Sequence, residues 1–186
     1  MILPVCGMDP SLANWGMAEG RFNLATGFLD DVVLTVASTK KNKSKQIRTN
    51  SDDLQRAHDL ATSVFEVGMR NKVIFVECPV GSQSADGMKA YGIVIGVLGS
   101  LRANGIQIIE VTAAEVKKSL SGNPLATKAE MIKAGVSHYP QANWPLYRGR
   151  INSGIAEHMA DSLGAIHAGV NTPVFQNVMR IFAEVN

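Results

Sequence analysis

The 186 residues are the length of one compact domain with a sizeable core and too few for two large ones. Hydrophobic residues at 46% and charged residues at 18%, the latter below the roughly 25% of an average soluble domain, exclude a disordered or highly charged chain. With 18 basic and 16 acidic side chains the formal charge is only +2, so a polyanionic partner has to be held by a local basic patch and not by the field of the whole molecule.

The opening ILPVCGMD is an apolar run of strand formers that ends in a carboxylate, Asp9. WGMAEGRF and VVLTVAS follow as two more strand-like stretches, and the short spacings between them, carrying Asn14, Gly27 and Asp30, predict a three-stranded antiparallel meander. KKNKSK, from Lys40 to Lys45, reads as a solvated loop, after which Ser51 is placed to cap a helix from Asp52 to Met69. KVIFVECPV is short and dense in β-branched residues, as a central strand buried on both faces requires, yet it carries Glu77 near its end. Ser84 to Ala103 then predicts a long helix and IQIIEV a further buried strand, so the chain changes from hairpins to βαβ.

Shorter helices are predicted at Ala113–Ser121 and Thr127–Gly135, longer ones at Ser153–Gly169 and Pro173–Val185. HYPQANWPLYRGR between them, rich in aromatics, Pro and Arg, reads as an exposed excursion. Cys6 and Cys78 both lie in apolar runs, where a thiol behaves as a small hydrophobe, which argues against a disulfide scaffold or a structural zinc site. No signal-peptide pattern and no apolar run of about 20 residues is present, so a cytoplasmic protein without a membrane span is expected. The order of elements predicts a single α/β domain over residues 1–186 whose five-stranded mixed sheet is ribonuclease H-like.

Asp9 before Pro10 and Ser11 is also a common turn-capping pattern, but Glu77 on a buried strand would lose its hydration unless it is paired or metal-bound. In the late helix a 3.6-residue period puts Ile155, Met159, Ser162 and Ile166 on one apolar face, with His158 and Asp161 a turn apart on its flank. Glu157 lies beyond them, on what reads as a solvated face. A helix packed on the sheet by that apolar face would aim His158 and Asp161 at the strand ends carrying Asp9 and Glu77. Such carboxylates repel one another unless a cation joins them, and an oxygen-rich donor set favours Mg²⁺ or Mn²⁺. Two ions per site would then serve phosphodiester cleavage, with Asp9, Glu77, His158 and Asp161 as ligands.

These residues resemble the RuvC-type Holliday junction resolvases through most of the chain. GMDPSLANWG is similar to the family's first strand and turn and places Asp9 as its catalytic aspartate, and VIFVECPVGSQSADGMKAYGIVIGVL resembles its acidic strand and following helix, with Glu77 as the second carboxylate. VTAAEVKKSLSGNPLATKAEM matches a Val-Lys pair before a Gly and a Lys six residues after it, so that Lys117 and Lys128 match lysines used near the scissile phosphate. HMADSLGAIHAG resembles the late helix that completes the site with His158 and Asp161. Two departures stand out: Pro79 and Val80 occupy the place of the family's aromatic wedge, and the excursion with Trp144, Tyr147, Arg148 and Arg150 has no family counterpart.

The resemblance implies a homodimer that cuts symmetrically related strands of a four-way DNA junction and leaves 5′-phosphates. The Gly- and Ala-rich face of the Ser84–Ala103 helix suits close approach of a second copy. Arg148, Arg150, Trp144 and Tyr147 are candidates for clamping a strand and stacking on a base, and Lys89 is a further candidate DNA contact. Other readings stay open: a ribonuclease H-like nuclease for other branched DNA or for RNA, or a noncatalytic junction-binding module.

Overall fold

Apolar and β-branched residues at the N-terminal end alternate between two faces and pair as a meander. A computed structural model, which describes residues 1–185, places β1 (Ile2–Asp9), β2 (Asn14–Asn23) and β3 (Leu29–Ser38) antiparallel to one another. β4 (Val73–Glu77) pairs parallel to β1, and β5 (Ile108–Val111) parallel to β4. The strand order β3-β2-β1-β4-β5 is the mixed five-stranded sheet that the sequence predicts.

The period of two along each strand divides the core into two layers. Cys6, Met8, Ile74 and Val76 face α1 (Thr49–Arg70) and α2 (Ala85–Ala103), which contribute Leu60, Val64, Val94 and Leu101. Val5, Ala18 and Phe75 face the other way, towards α3 (Ala113–Ser121), α4 (Lys128–His138), α5 (Ser153–Gly169) and α6 (Pro173–Val185). Among the described residues no helix is long and apolar enough to cross a membrane.

The helix of greatest consequence is α5. It is buried not along one stripe but nearly all round, by Ala156, Ala160, Leu163, Gly164 and Ala165 as well as Met159 and Ile166, because α3 and α4 cover the side turned away from the sheet. Two strand glycines let its backbone rest directly on the sheet: a Cβ on Gly7 would stand 1.9 Å from the Ser162 carbonyl oxygen, and one on Gly16 would stand 2.2 Å from that of His158.

Three boundaries differ from the sequence expectation. The first helix starts at Thr49 with Arg48 at its cap and no side-chain cap bond, so Ser51 lies inside it, while Asp52 in the first turn supplies the favourable charge. α4 continues past Gly135 to His138, since that glycine makes room for the Trp144 ring and does not end the helix. Within the excursion Leu146–Tyr147 (β6) and Arg150–Ile151 (β7) pair as a small hairpin, with Arg148 and Gly149 at φ 51° and 75° as a type I′ turn requires.

Candidate active site

Parallel pairing of β1 with β4 brings their C-terminal ends out side by side. Asp9 and Glu77 each lie one residue beyond the Met8–Val76 pair, on strands about 4.8 Å apart. α5 arrives over this edge with its N-terminal half, held there by the contact at Gly16. His158 Nδ1 then lies 2.7 Å from Asp9 Oδ2, with both side chains less than a fifth exposed. Asp161, one helical turn on and half-buried, faces the same acids.

The electrostatics register this crowding. Burial first, and then the charges of Asp9 and Asp161, push Glu77 up to about 7, with Lys117 opposing. Burial and the charge of Asp9 likewise push Asp161 up to about 7, against His158 and Lys117. The hydrogen bond to Asp9 leads the opposite effect on His158, whose imidazolium is favoured in spite of burial. The cluster therefore holds protons at neutral pH that free carboxylates would have released.

The four sequence candidates Asp9, Glu77, His158 and Asp161 thus gather at one edge of the sheet, and Lys117 stands near enough to Glu77 and Asp161 to lower both. Lys117 is positioned by the Thr112–Glu115 capping box at the start of α3, and Lys128 is the first residue of α4 after the Thr127–Glu130 box. Lys128 Nζ lies 2.6 Å from Glu157 Oε2, and Glu157 Oε1 lies 3.6 Å from His158 Nε2. Glu157 is therefore not the solvated residue that the helix pattern predicts: its side chain is 18% exposed and links a lysine to the histidine. No sequence signal marks this link, which depends on how α4 packs on α5.

The remaining candidates lie outside this cluster. Lys89 Nζ is 2.7 Å from Asp53 Oδ2 at the start of α1. Trp144 is not free to stack on a base, because its indole N–H donates to the Tyr139 carbonyl and its ring lies against Gly135. Tyr147, Arg148 and Arg150 are exposed on the β6–β7 hairpin, where the Arg148 guanidinium lies 5.2 Å from the centre of the Tyr147 ring. The hairpin is tied to the sheet by Asn143, whose side chain accepts from Leu34 N and donates to Leu34 O. Val80, at the position of the family's aromatic wedge, is 89% exposed. Of the other histidines, His58 and His138 are exposed, and His167, partly buried, lies 2.7 Å from the Tyr139 hydroxyl, with burial lowering it to about 4.

A concavity of about 920 Å³ lies at the other end of the sheet between Phe22, Phe28, Tyr139 and His167. The acids do not line it. Among the described residues no three Asp, Glu, His or Cys side chains are arranged to hold an ion as they stand. The donor set nevertheless fits hard divalent cations: three carboxylates and an imidazole converge on one edge, and a cation relieves the repulsion that raises Glu77 and Asp161. Asp9 would exchange its bond to His158 for such an ion.

No protein-family model matches the chain, and no curated protein does. Its fold has close structural neighbours. A Thermus thermophilus RuvC structure superposes with a TM-score of 0.63 at 20% identity, covering 95% of this chain and 96% of that one. A T. thermophilus RuvC in complex with a Holliday junction substrate gives 0.61 at 19% identity, covering 87% and 92%. The chain has the RuvC-type, ribonuclease H-like fold over most of its length.

Proposed function

We propose that this chain is a metal-dependent, structure-selective endonuclease that resolves four-way DNA junctions by paired symmetric nicks leaving 5′-phosphates. The observation that carries the proposal is the gathering of Asp9, Glu77, His158 and Asp161 at one edge of a RuvC-type sheet. That a neighbour of this fold is a RuvC with a Holliday junction substrate directs the choice of DNA.

Asp9, Glu77 and Asp161, with His158, would hold Mg²⁺ or Mn²⁺, two ions per site. Ions so bound supply an activated water and charge stabilisation for the leaving oxygen. His158 Nδ1 is hydrogen-bonded to Asp9; once Asp9 turns to an ion, His158 would serve either as a further ligand or as the base that positions the attacking water. Lys117 offsets negative charge that develops beside Glu77 and Asp161, and Lys128 meets a backbone phosphate once released from Glu157. The exposed hairpin would bring Arg148 and Arg150 to a strand and Tyr147 to an unpaired base, from a position directly before α5.

A second copy would dock along α2, where a side chain added at Gly92, Gly96 or Gly99 meets nothing within 4 Å and Met88 is exposed. Gly96→Arg leaves the fold intact and converts a dimer to a monomer in sedimentation; a wild-type monomer at micromolar concentration removes the paired-nick scheme.

The activity test uses a labelled mobile junction, a matched linear duplex and an RNA/DNA hybrid, each with Mg²⁺, Mn²⁺ or EDTA. Metal-dependent paired nicks in the junction alone are expected. Cutting of the hybrid points to a related nuclease, and tight junction binding without cutting points to a noncatalytic module.

A further inference from the structure

The loop from Lys40 to Lys45 leaves β3 at the same edge of the sheet that carries Asp9. Gly16 pairs with Asp9 on one side and Val36 on the other, so β3 ends, at Ser38, level with the candidate active site. β1 and β3 are two strand spacings apart, roughly 10 Å, which is less than the roughly 12 Å width of a DNA major groove.

The base of this loop is fastened to the turn that follows Asp9. Thr39 N donates to Ala13 O at 2.9 Å, and the Thr39 hydroxyl donates to Leu12 O. Arg56 reinforces both, with Nε donating to the Thr39 hydroxyl at 3.0 Å and a terminal nitrogen to Leu12 O at 3.3 Å. Beyond it, Asn42 N donates to both carboxylate oxygens of Asp52 at 3.2 Å, and Asp52 is itself buried. The loop is therefore held at two points, while Lys40, Lys41, Lys43 and Lys45 are all exposed.

Among the described residues none of these four lysines is in an ion pair, in contrast to Lys89 and Lys128. Four cations within six residues exceed the net charge of +2 of the entire chain, so the loop is a local basic patch on a molecule whose other residues sum to a negative charge. A solvated loop needs neither fixed anchors nor a place beside the acids.

We infer that Lys40, Lys41, Lys43 and Lys45 form a sequence-independent contact to the phosphate backbone of a duplex DNA arm next to the strand being cut. This rests on the nuclease reading for the placement of the scissile strand, but the contact itself is one of binding. Four lysines on phosphates release counterions, which gives a slope of log affinity against log salt of about −0.9 for each phosphate neutralised.

The test is fluorescence anisotropy with a labelled four-way junction and a labelled linear duplex, in EDTA, across a salt series. It compares wild type with K40Q/K41Q/K43Q/K45Q and with the corresponding quadruple arginine variant. The glutamine variant is expected to flatten the slope by about 3 to 4 on both DNAs and to bind tenfold or more weakly near physiological salt. The arginine variant is expected to restore both, and equal thermal melting of all three shows that the fold is intact. An unchanged slope in the glutamine variant overturns the inference, even if the junction is cut normally. If the glutamine variant flattens the slope as expected but the wild type cuts neither DNA once Mg²⁺ or Mn²⁺ is added, the nuclease reading falls and the contact stands, whereas a wild type that binds neither DNA removes both.

Discussion

His158 Nδ1 stands 2.7 Å from Asp9 Oδ2, although 149 positions separate them in the sequence. The contact joins the end of the first strand to the first turns of the fifth helix, and it exists because Gly16 lets the helix backbone rest on the sheet. Its chemical effect is to hold the imidazole against the acidic cluster, where the hydrogen bond to Asp9 favours the charged ring in spite of burial.

Asp9→Asn or Asp161→Asn removes a carboxylate from the site without touching the exposed basic groups. Residues that only support a metal ligand typically account for about 10- to 100-fold in activity, so loss of a ligand is expected to lower junction cleavage by at least about 100-fold. Junction affinity in EDTA should change little. Cutting at the wild-type rate by either variant refutes the site.

The raised carboxyls make stability depend on pH in a defined direction. Glu77 and Asp161 stay protonated up to about 7 in the folded chain, whereas in the unfolded chain they ionise near 4.5 and 3.8. The folded state holds the extra protons, so stability falls as pH rises from about 4 to about 7. His167, lowered to about 4, acts in reverse and loses stability as pH falls from 6.5. The difference between variant and wild type isolates the acids: Asp161→Asn should melt several degrees higher than wild type at pH 8, at about 2 to 4 °C per kcal/mol, and the gain should shrink by pH 5. An equal melting temperature at pH 8 would show that the acids do not strain the fold.

Added Mg²⁺ should remove the same repulsion. At ten times its dissociation constant a ligand stabilises by about 1.4 kcal/mol, so the wild type is expected to gain about 3 to 6 °C in a chain of this size. Asp161→Asn and Glu77→Gln should gain little. Differential scanning fluorimetry at pH 8 with Mg²⁺, Mn²⁺ or EDTA measures this, and equal gains in wild type and variants would place the ion elsewhere.

Gly16→Ala puts a methyl group 2.2 Å from the His158 carbonyl oxygen, a backbone atom that moves only if α5 moves. Overpacking of this kind typically costs about 1 to 3 kcal/mol, and the melting temperature should fall accordingly. Cleavage measured well below the new melting point should fall further than stability accounts for, because His158 is shifted from Asp9. Full activity in a stably folded Gly16→Ala protein would mean that the helix position is not critical.

The β-branched runs, the change from hairpins to βαβ and the lengths of the helices were enough to read a five-stranded mixed sheet, since each strand declares its own burial. Asp9 and Glu77 were legible because a carboxylate at the end of an apolar strand is out of place by itself. Glu157 was not: its helical position fits a solvated face, and only the approach of Lys128 on another helix makes it part of the site. The same holds for Trp144, whose neighbours Arg148 and Tyr147 suggest a nucleic-acid contact while its own ring fills the gap left by Gly135. The β6–β7 hairpin has strands of two residues each, too short for any periodicity to register.

The casing of α5 separates two kinds of change open to this protein. The helix that carries His158 and Asp161 is wedged between the sheet and two other helices, with backbone against backbone at Gly7 and Gly16, so drift in its sequence is met at once by collision. The lysine loop and the β6–β7 hairpin are attached at a few hydrogen bonds and are otherwise free of the core. They behave as exchangeable cassettes on a fixed frame.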